Sequence, residues 1–225
     1  MVTTNVLQRT FRIRYEEGTG TGFTIDHAGR RYMVTAKHVV QGLKSGNQIM
    51  IANAGQWLPC PVVLIGHSPD PVDISVLAVP AKLSPDHPLP ATAKGLTVGQ
   101  DIFFTGFPFG LHSVATSELN ADYPIAFVKR GVVSAFGNES GFEIYYLDAH
   151  NNPGFSGGPV VFRPQSSNDF CVAGVVSGYR FNEEPVYRAD GETDMRVRAN
   201  TGILICWPIR YAIELIEKFP EGFVL

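Results

Sequence analysis

From Arg9 to Val79 the chain is a succession of short apolar segments, RTFRIRY, GTGFTI, RRYMVTA, NQIMIA, CPVVLIG and DISVLAV, parted by Gly, Asp, Asn or Pro. Segments this short fall below the length of an ordinary helix, and turn residues at such regular spacing predict the strands of a sandwich or barrel. A second series follows, QDIFFTGF, YPIAFVKRGVVSAFG, FEIYYLDA, GGPVVF, CVAGVVSGY and TGILICW. Between them, from Pro80 to Gly95, PAKLSPDHPLPATAKG has four prolines and little periodicity, which suits an extended connector. The expected organisation is all-β in two halves: an N-terminal barrel over residues 1–82, a linker over 83–97, and a C-terminal barrel with a terminal helix over 98–225. The helix starts at Pro208, after which Ile209, Ala212, Ile213 and Ile216 follow the i, i+3, i+4, i+7 spacing, and it is expected to pack on the second barrel.

Composition narrows the partners. Only 17% of the 225 residues are charged, below the roughly 25% of an average soluble domain, and the formal net charge is -3. No Lys/Arg run or basic amphipathic helix is available to neutralise phosphates, so neither nucleic acid nor an anionic membrane is an expected partner. The three cysteines, Cys60, Cys171 and Cys206, are odd in number and lack CxxC spacing, so they read as reduced, buried thiols rather than a disulfide framework or a zinc site. The opening MVTTNVLQRTFRIRYEEG lacks the apolar core of a signal segment, and no run of about 18 apolar residues occurs. A soluble, cytoplasmic location is the expectation.

Three segments carry chemistry. In Asn152-Pro153-Gly154-Phe155-Ser156-Gly157-Gly158-Pro159, a serine sits among glycines that can turn backbone N–H groups toward one point. A serine hydroxyl is a weak nucleophile at neutral pH and needs both a base and such donors for an oxyanion. The alternative is a plain Gly-Pro turn. In Met33-Val34-Thr35-Ala36-Lys37-His38-Val39-Val40 a strand closes on a histidine, a candidate general base or else a structural histidine. His27, His67, His87 and His112 lie in turn-like segments and take the structural reading. In Val72-Asp73-Ile74-Ser75-Val76, Asp73 heads an alternating strand and can orient the base, with Asp70 in the preceding turn as its rival. Each segment alone is weak evidence. The order His38, Asp73, Ser156 in these settings is strong.

On these residues the chain resembles the trypsin-like serine peptidases, and among them the protease domain of the HtrA (Deg) family. The matching stretches are GTGFTI, VTAKHVV, DISVLAV, VGQDIFFTGFPFG, RGVVSAFG, NPGFSGGPVV and TGILICWPI, between Gly20 and Ile209. The resemblance implies two six-stranded antiparallel β-barrels with a cleft between them, no cofactor and no metal, and a polypeptide substrate. It implies His38, Asp73 and Ser156 as the triad, with the Gly154 and Ser156 N–H groups as the oxyanion hole. Three departures stand out: Phe155 replaces the family's Asn before the nucleophile, Leu111 to Pro124 looks longer than the family hairpin, and no PDZ domain is expected.

The expected activity is that of a serine endopeptidase working through an acyl-enzyme, its substrate lying extended along Ser177-Gly178-Tyr179. Two rivals remain: a catalytically silent peptide-binding adaptor on the same fold, and an esterase, although the GxSxG strand-to-helix context is missing. His150 precedes Ser156 by six residues, where the resemblance places the base of the pocket for the P1 residue. With no carboxylate at that position a basic P1 is not expected. An imidazole there favours a polar, amide or acidic P1; if it packs in the loop instead, an apolar P1 is preferred.

Overall fold

The computed structural model describes residues 2–79, 82–87, 89–114, 117–165, 167–189 and 191–225. Pro80, Ala81 and Pro88 of the connector, and Ala115 and Thr116 of the 111–124 stretch, lie outside the described residues.

The first sheet comprises β1 (Thr10–Tyr15), β2 (Gly18–His27), β3 (Arg30–Thr35), β4 (Gln48–Asn53), β5 (Gln56–Pro61), β6 (Val63–His67) and β7 (Ser75–Ala78), in the order β5-β4-β1-β2-β3-β7-β6. The second is a closed barrel of β8 (Asp101–Gly106), β9 (Phe127–Glu139), β10 (Phe142–Asp148), β11 (Pro159–Phe162), β12 (Cys171–Arg188) and β13 (Gly191–Pro208), in the order β10-β13-β12-β11-β8-β9. All named strand pairs are antiparallel, as expected of a trypsin-like double barrel. Three apolar clusters explain the patterning. One fills the first barrel with Phe11, Ile13, Met33 and Leu77, and a second fills the other with Phe104, Leu147, Phe162 and Leu204. The third joins residues of both, among them Phe23, Tyr32, Val34 and Val76 with Val161, Val175 and Trp207. β3 and β7 therefore bury alternate side chains on opposite faces, which is why RRYMVT and SVLA read as continuous apolar runs.

Three features differ from the sequence reading. CPVVLIG contributes to both β5 and β6 instead of forming one strand. β5 includes Pro59 and Pro61, tolerated because it ends the strand order and needs partners on one side only. β12 and β13 extend beyond the barrel as a charged two-stranded ribbon, supported by Glu183–Arg198 at 3.3 Å and Arg198 over the Phe181 ring at 4.5 Å. The C-terminal helix, α1 in a numbering that omits single turns (Arg210–Lys218), packs on β6 and β7 of the first barrel as well as on the second. Leu215 lies against Gly66, while Tyr211 meets the rings of Trp207 and Phe142 at 6.3 and 5.9 Å. Its apolar stripe is wide enough to touch both barrels. The chain then returns β14 (Phe223–Val224) to the edge of β3.

The connector is stitched to both halves. Asp26 on β2 accepts paired hydrogen bonds from Arg9 (3.2 and 2.7 Å) and Arg31 (2.8 and 3.2 Å), whose guanidiniums are fully buried. Arg9 also donates to the His87 carbonyl at 2.7 Å and Arg31 to those of Ser84 and Pro85. On the far side the Val172 N–H donates to Pro90 O at 2.8 Å. Burial pushes the Asp26 carboxyl up, but the two arginines outweigh it and hold it below the ordinary carboxylate value. Asp26→Asn leaves two buried cations short of a counter-charge and is expected to cost about 3–5 kcal/mol in urea unfolding at neutral pH. A carboxyl with a depressed folded pKa contributes stability above its unfolded value of about 4 and loses it as pH falls through the folded one. The gap between wild type and Asp26→Asn should therefore narrow as pH is lowered below about 4; a gap constant with pH would show that the clamp is not ionic.

Candidate active site

β3 ends at Thr35, and residues Lys37–Val40 form one 3-10 turn whose Val39 and Val40 are buried. The turn is thereby pinned with Lys37 and His38 outward. Lys37 Nζ donates to Asp70 Oδ1 at 2.6 Å and to Ser68 O at 3.1 Å, so Asp70, 94% exposed at its side chain, is spent on a surface pair. Asp73 meets His38 twice: its Oδ1 accepts the His38 backbone N–H at 2.9 Å, and its Oδ2 lies 2.7 Å from ring Nδ1. A carboxylate accepts, so Nδ1 donates this bond, which in the neutral form of the ring leaves the lone pair at Nε2. Ser177 Oγ donates to the same Oδ2 at 2.6 Å. Burial raises the Asp73 carboxyl, yet the His38 and Ser177 hydrogen bonds prevail and keep it below the ordinary carboxylate range.

The Ser156 loop is built from peptide planes. In a trans peptide the C=O and the following N–H point oppositely. Pro153 O accepts the Phe109 N–H at 2.8 Å, which turns the Gly154 N–H the other way. Phe155 O accepts the Gly158 N–H at 2.8 Å, which does the same for Ser156. Among the described residues neither the Gly154 nor the Ser156 N–H has a hydrogen-bond partner, whereas those of Phe155, Gly157 and Gly158 do. Gly154 has φ +105°, and a Cβ there would strike Phe107 O; Gly157 has φ +83°, where a Cβ would strike Thr21 O and Thr35 Oγ1. Thr21 holds the loop from the first barrel, its N–H donating to Ser156 O at 2.8 Å and its Oγ1 to Gly154 O at 2.7 Å.

Phe155 solves the anchoring question raised by its replacing a polar residue. It is fully buried, meets Phe104 edge-on at 4.9 Å and lies under the Lys129 ammonium at 5.4 Å. Lys129 Nζ, its pKa lowered by burial, donates to His150 O and Asn152 Oδ1, each at 2.6 Å. The His150 ring itself is exposed, and its hydrogen bond is made by the backbone carbonyl. A core plug at Phe155 and a lysine tether at His150 and Asn152 thus hold the loop on the N-terminal side of Ser156.

β11 pairs with β12 only as far as Pro159↔Val175, so past Val176 that edge of β12 carries Ser177, Gly178 and Tyr179 with, among the described residues, no strand neighbour on the β11 side. Ser156 Oγ donates to Ser177 O at 3.1 Å. Three other histidine rings have structural partners: His67 Nδ1 with Ser75 Oγ at 2.6 Å, His112 Nδ1 with Gly110 O at 3.0 Å, and His27 with Glu217 at 3.5 Å; His87 takes part through its backbone carbonyl. Among the described residues no group of three His, Cys, Asp or Glu side chains is placed to hold a metal. The three cysteines are free and buried.

Residues 20–167 match the trypsin-like peptidase domain. The chain belongs to the trypsin-like peptidase family. It is 31% identical over 192 residues to Protease Do-like 1, chloroplastic, of Arabidopsis thaliana, covering 81% of this chain and 40% of that protein. Protease Do-like 5, chloroplastic, of the same plant is 30% identical over 160 residues, covering 64% and 45%. The chain therefore spans less than half the length of these curated relatives. Among solved structures it superposes on the HtrA-type protease AlgW with tripeptide at a TM-score of 0.64 and 21% identity, covering 97% of this chain and 62% of that one. An M. tuberculosis protein in an inactive form superposes at 0.59 and 21%, covering 96% and 88%. These two likenesses establish the double-barrel fold.

Thr21, Lys129, Phe109 and the hydroxyl of Ser177 were not legible as site residues, since each acts through a contact distant in sequence. Phe155→Ala is expected to cost about 3–5 kcal/mol in stability through the cavity it opens, with Phe155→Leu milder, as measured by denaturant unfolding. Equal stability of Phe155→Ala and wild type would show that the loop is not anchored through this ring.

Proposed function

We propose that this chain is a serine endopeptidase in which Ser156 attacks a peptide carbonyl, His38 takes its proton and returns it to the leaving amine, and water releases the acyl-enzyme. The observation that carries the reading is the pairing of a doubly held His38–Asp73 couple with the two unpartnered N–H groups of Gly154 and Ser156. An oxyanion gains most from donors fixed before charge develops, and peptide planes locked by Phe109 and Gly158 meet that need. Asp73 keeps Nδ1 protonated and stabilises the imidazolium.

Substrate joins the open edge of β12 at Ser177-Gly178-Tyr179 as an added strand. The Ser156 hydroxyl rests on Ser177 O. A substrate N–H that takes this carbonyl displaces the hydroxyl, which then turns to His38 Nε2. Binding and activation of the nucleophile are linked in this way. The division at residues 83–97 and the absence of nucleic-acid and membrane partners belong to the same proposal; among the described residues no helix is long and apolar enough to cross a membrane.

Ser156→Ala and His38→Ala should each lower kcat by roughly 10⁴-fold or more, without additivity in the double variant. A fluorophosphonate probe should label wild type and spare Ser156→Ala; an unlabelled wild type favours the silent adaptor. Asp73→Asn should be severe because the amide supports the wrong tautomer, whereas Asp70→Asn should be nearly silent. The reverse pattern would reassign the carboxylate.

His150 is proposed to bias P1 toward polar, amide or acidic side chains. Profiling a peptide library should show that bias in wild type and a weaker one in His150→Ala. The same apolar P1 preference in both proteins removes His150 from the specificity site.

A further inference from the structure

Along β1 the side chains alternate: Phe11 and Ile13 enter the barrel core, while Arg12 and Arg14 emerge on the other face. Both guanidiniums lie over the ring of Trp57 on β5, at 4.9 and 4.7 Å. Among the described residues no hydrogen bond or ion pair ends on either arginine side chain, and Arg12 Nε is buried without a partner. The contrast within the chain is sharp, because the buried guanidiniums of Arg9 and Arg31 share Asp26. Two neighbouring cations with a buried donor unused leave a site short of negative charge. Burial and the neighbouring Arg14 both pull the Arg12 pKa down, the direction an anion would reverse.

Open space adjoins the Arg12 side chain. A cavity of about 250 Å³ is lined by Arg12, Gln56, Trp57, His112, Asp122 and Pro124, among others. Its charge selects the ligand: Arg12 and the adjacent Arg14 are offset in part by Asp122, so one further negative charge balances the site and a dianion exceeds it. A planar guanidinium matches a carboxylate through two parallel N–H donors.

Location selects the source of that carboxylate. In register, Arg14 faces Thr19 and Arg12 faces Thr21 on β2, and the Thr21 N–H is bonded to Ser156 O. The cavity wall is thus about one strand spacing, roughly 5 Å, from the strand beside the nucleophile. With the acyl half of the substrate on β12 of the second barrel, an extended chain crossing Ser156 continues over β2 of the first. We propose that the Arg12–Trp57–His112 cavity is a specificity pocket for a peptide carboxylate, an Asp or Glu side chain or a free C-terminus, on the leaving-group side of the scissile bond.

This inference rests on the endopeptidase reading, and its test separates the two. Paired substrates identical except for Glu or Gln on the leaving-group side are compared, together with a pair ending in a free or an amidated C-terminus. Wild type should show a KM lower by about tenfold or more for the carboxylate members, the scale of one charge-assisted hydrogen bond. The preference should vanish in Arg12→Gln and shrink in Arg14→Gln. Which pair shows it identifies side chain or terminus as the source. Cleavage of both members with equal KM would overturn the pocket while leaving the protease reading intact. If no peptide is cleaved, the protease reading fails, and calorimetric titration of Ser156→Ala with the same Glu and Gln peptides decides the pocket alone: tighter, Arg12-dependent binding of Glu supports it, and equal binding overturns it. A phosphoserine peptide bound more tightly than its Glu counterpart would overturn the carboxylate assignment.

Discussion

The Gly154–Gly158 loop is held from both barrels at once, and the rest of the site takes its geometry from that double attachment. From the first barrel, Thr21 donates its N–H to Ser156 O and its hydroxyl to Gly154 O. From the second, Val176 O accepts the Gly157 N–H at 2.7 Å, and the Phe155 ring is sunk among its core residues. A hydrogen bond of this kind contributes only about 1 kcal/mol net, so no single attachment dominates. What matters is that each one orients a peptide plane. Once the carbonyls of Pro153, Gly154 and Phe155 are turned to their donors, the N–H groups of Gly154 and Ser156 point away from them and, among the described residues, stay unpartnered.

Such precision requires that the barrels keep a fixed relation. The connector is the means. The Arg9–Asp26–Arg31 clamp fastens residues 84–87 to the first barrel, Pro90 is fastened to β12, and the helix at Arg210–Lys218 lies on both halves. The shared apolar cluster supplies the attraction and the polar clamp supplies the direction. His38 and Asp73 sit on the first barrel, Ser156 and Ser177 on the second, so a hydrogen bond such as Ser177 Oγ to Asp73 reports directly that the two are in register.

Strands buried on both faces or alternating cleanly, such as β2, β3 and β10, were visible in the sequence because their hydrophobic pattern is local. β5 was hidden by its prolines, harmless at the end of the strand order, and the ribbon of β12 and β13 by its charges, which pair across strands instead of entering a core. His38, Asp73 and Ser156 could be named as candidates because each stands in a short segment whose composition suits its chemistry. Lys129 could not, since nothing near it in sequence foretells the carbonyl of His150 or the amide of Asn152 that it holds.

Left to itself, then, the sequence determined an all-β chain in two halves, a glycine-flanked serine, and a histidine and an aspartate at strand ends in the order His, Asp, Ser. These follow from backbone freedom and hydrophobic period, which act over a few residues. Only the tertiary structure decided that Asp73 rather than Asp70 faces His38, that Phe155 is a core plug, that the Ser156 hydroxyl rests on Ser177 O, and that Arg12 and Arg14 share one ring with no counter-ion among the described residues. Each of these joins groups tens of residues apart or depends on which face of a strand is left open, and contacts of that range are set by the packing of the barrels, not by the composition of any one segment.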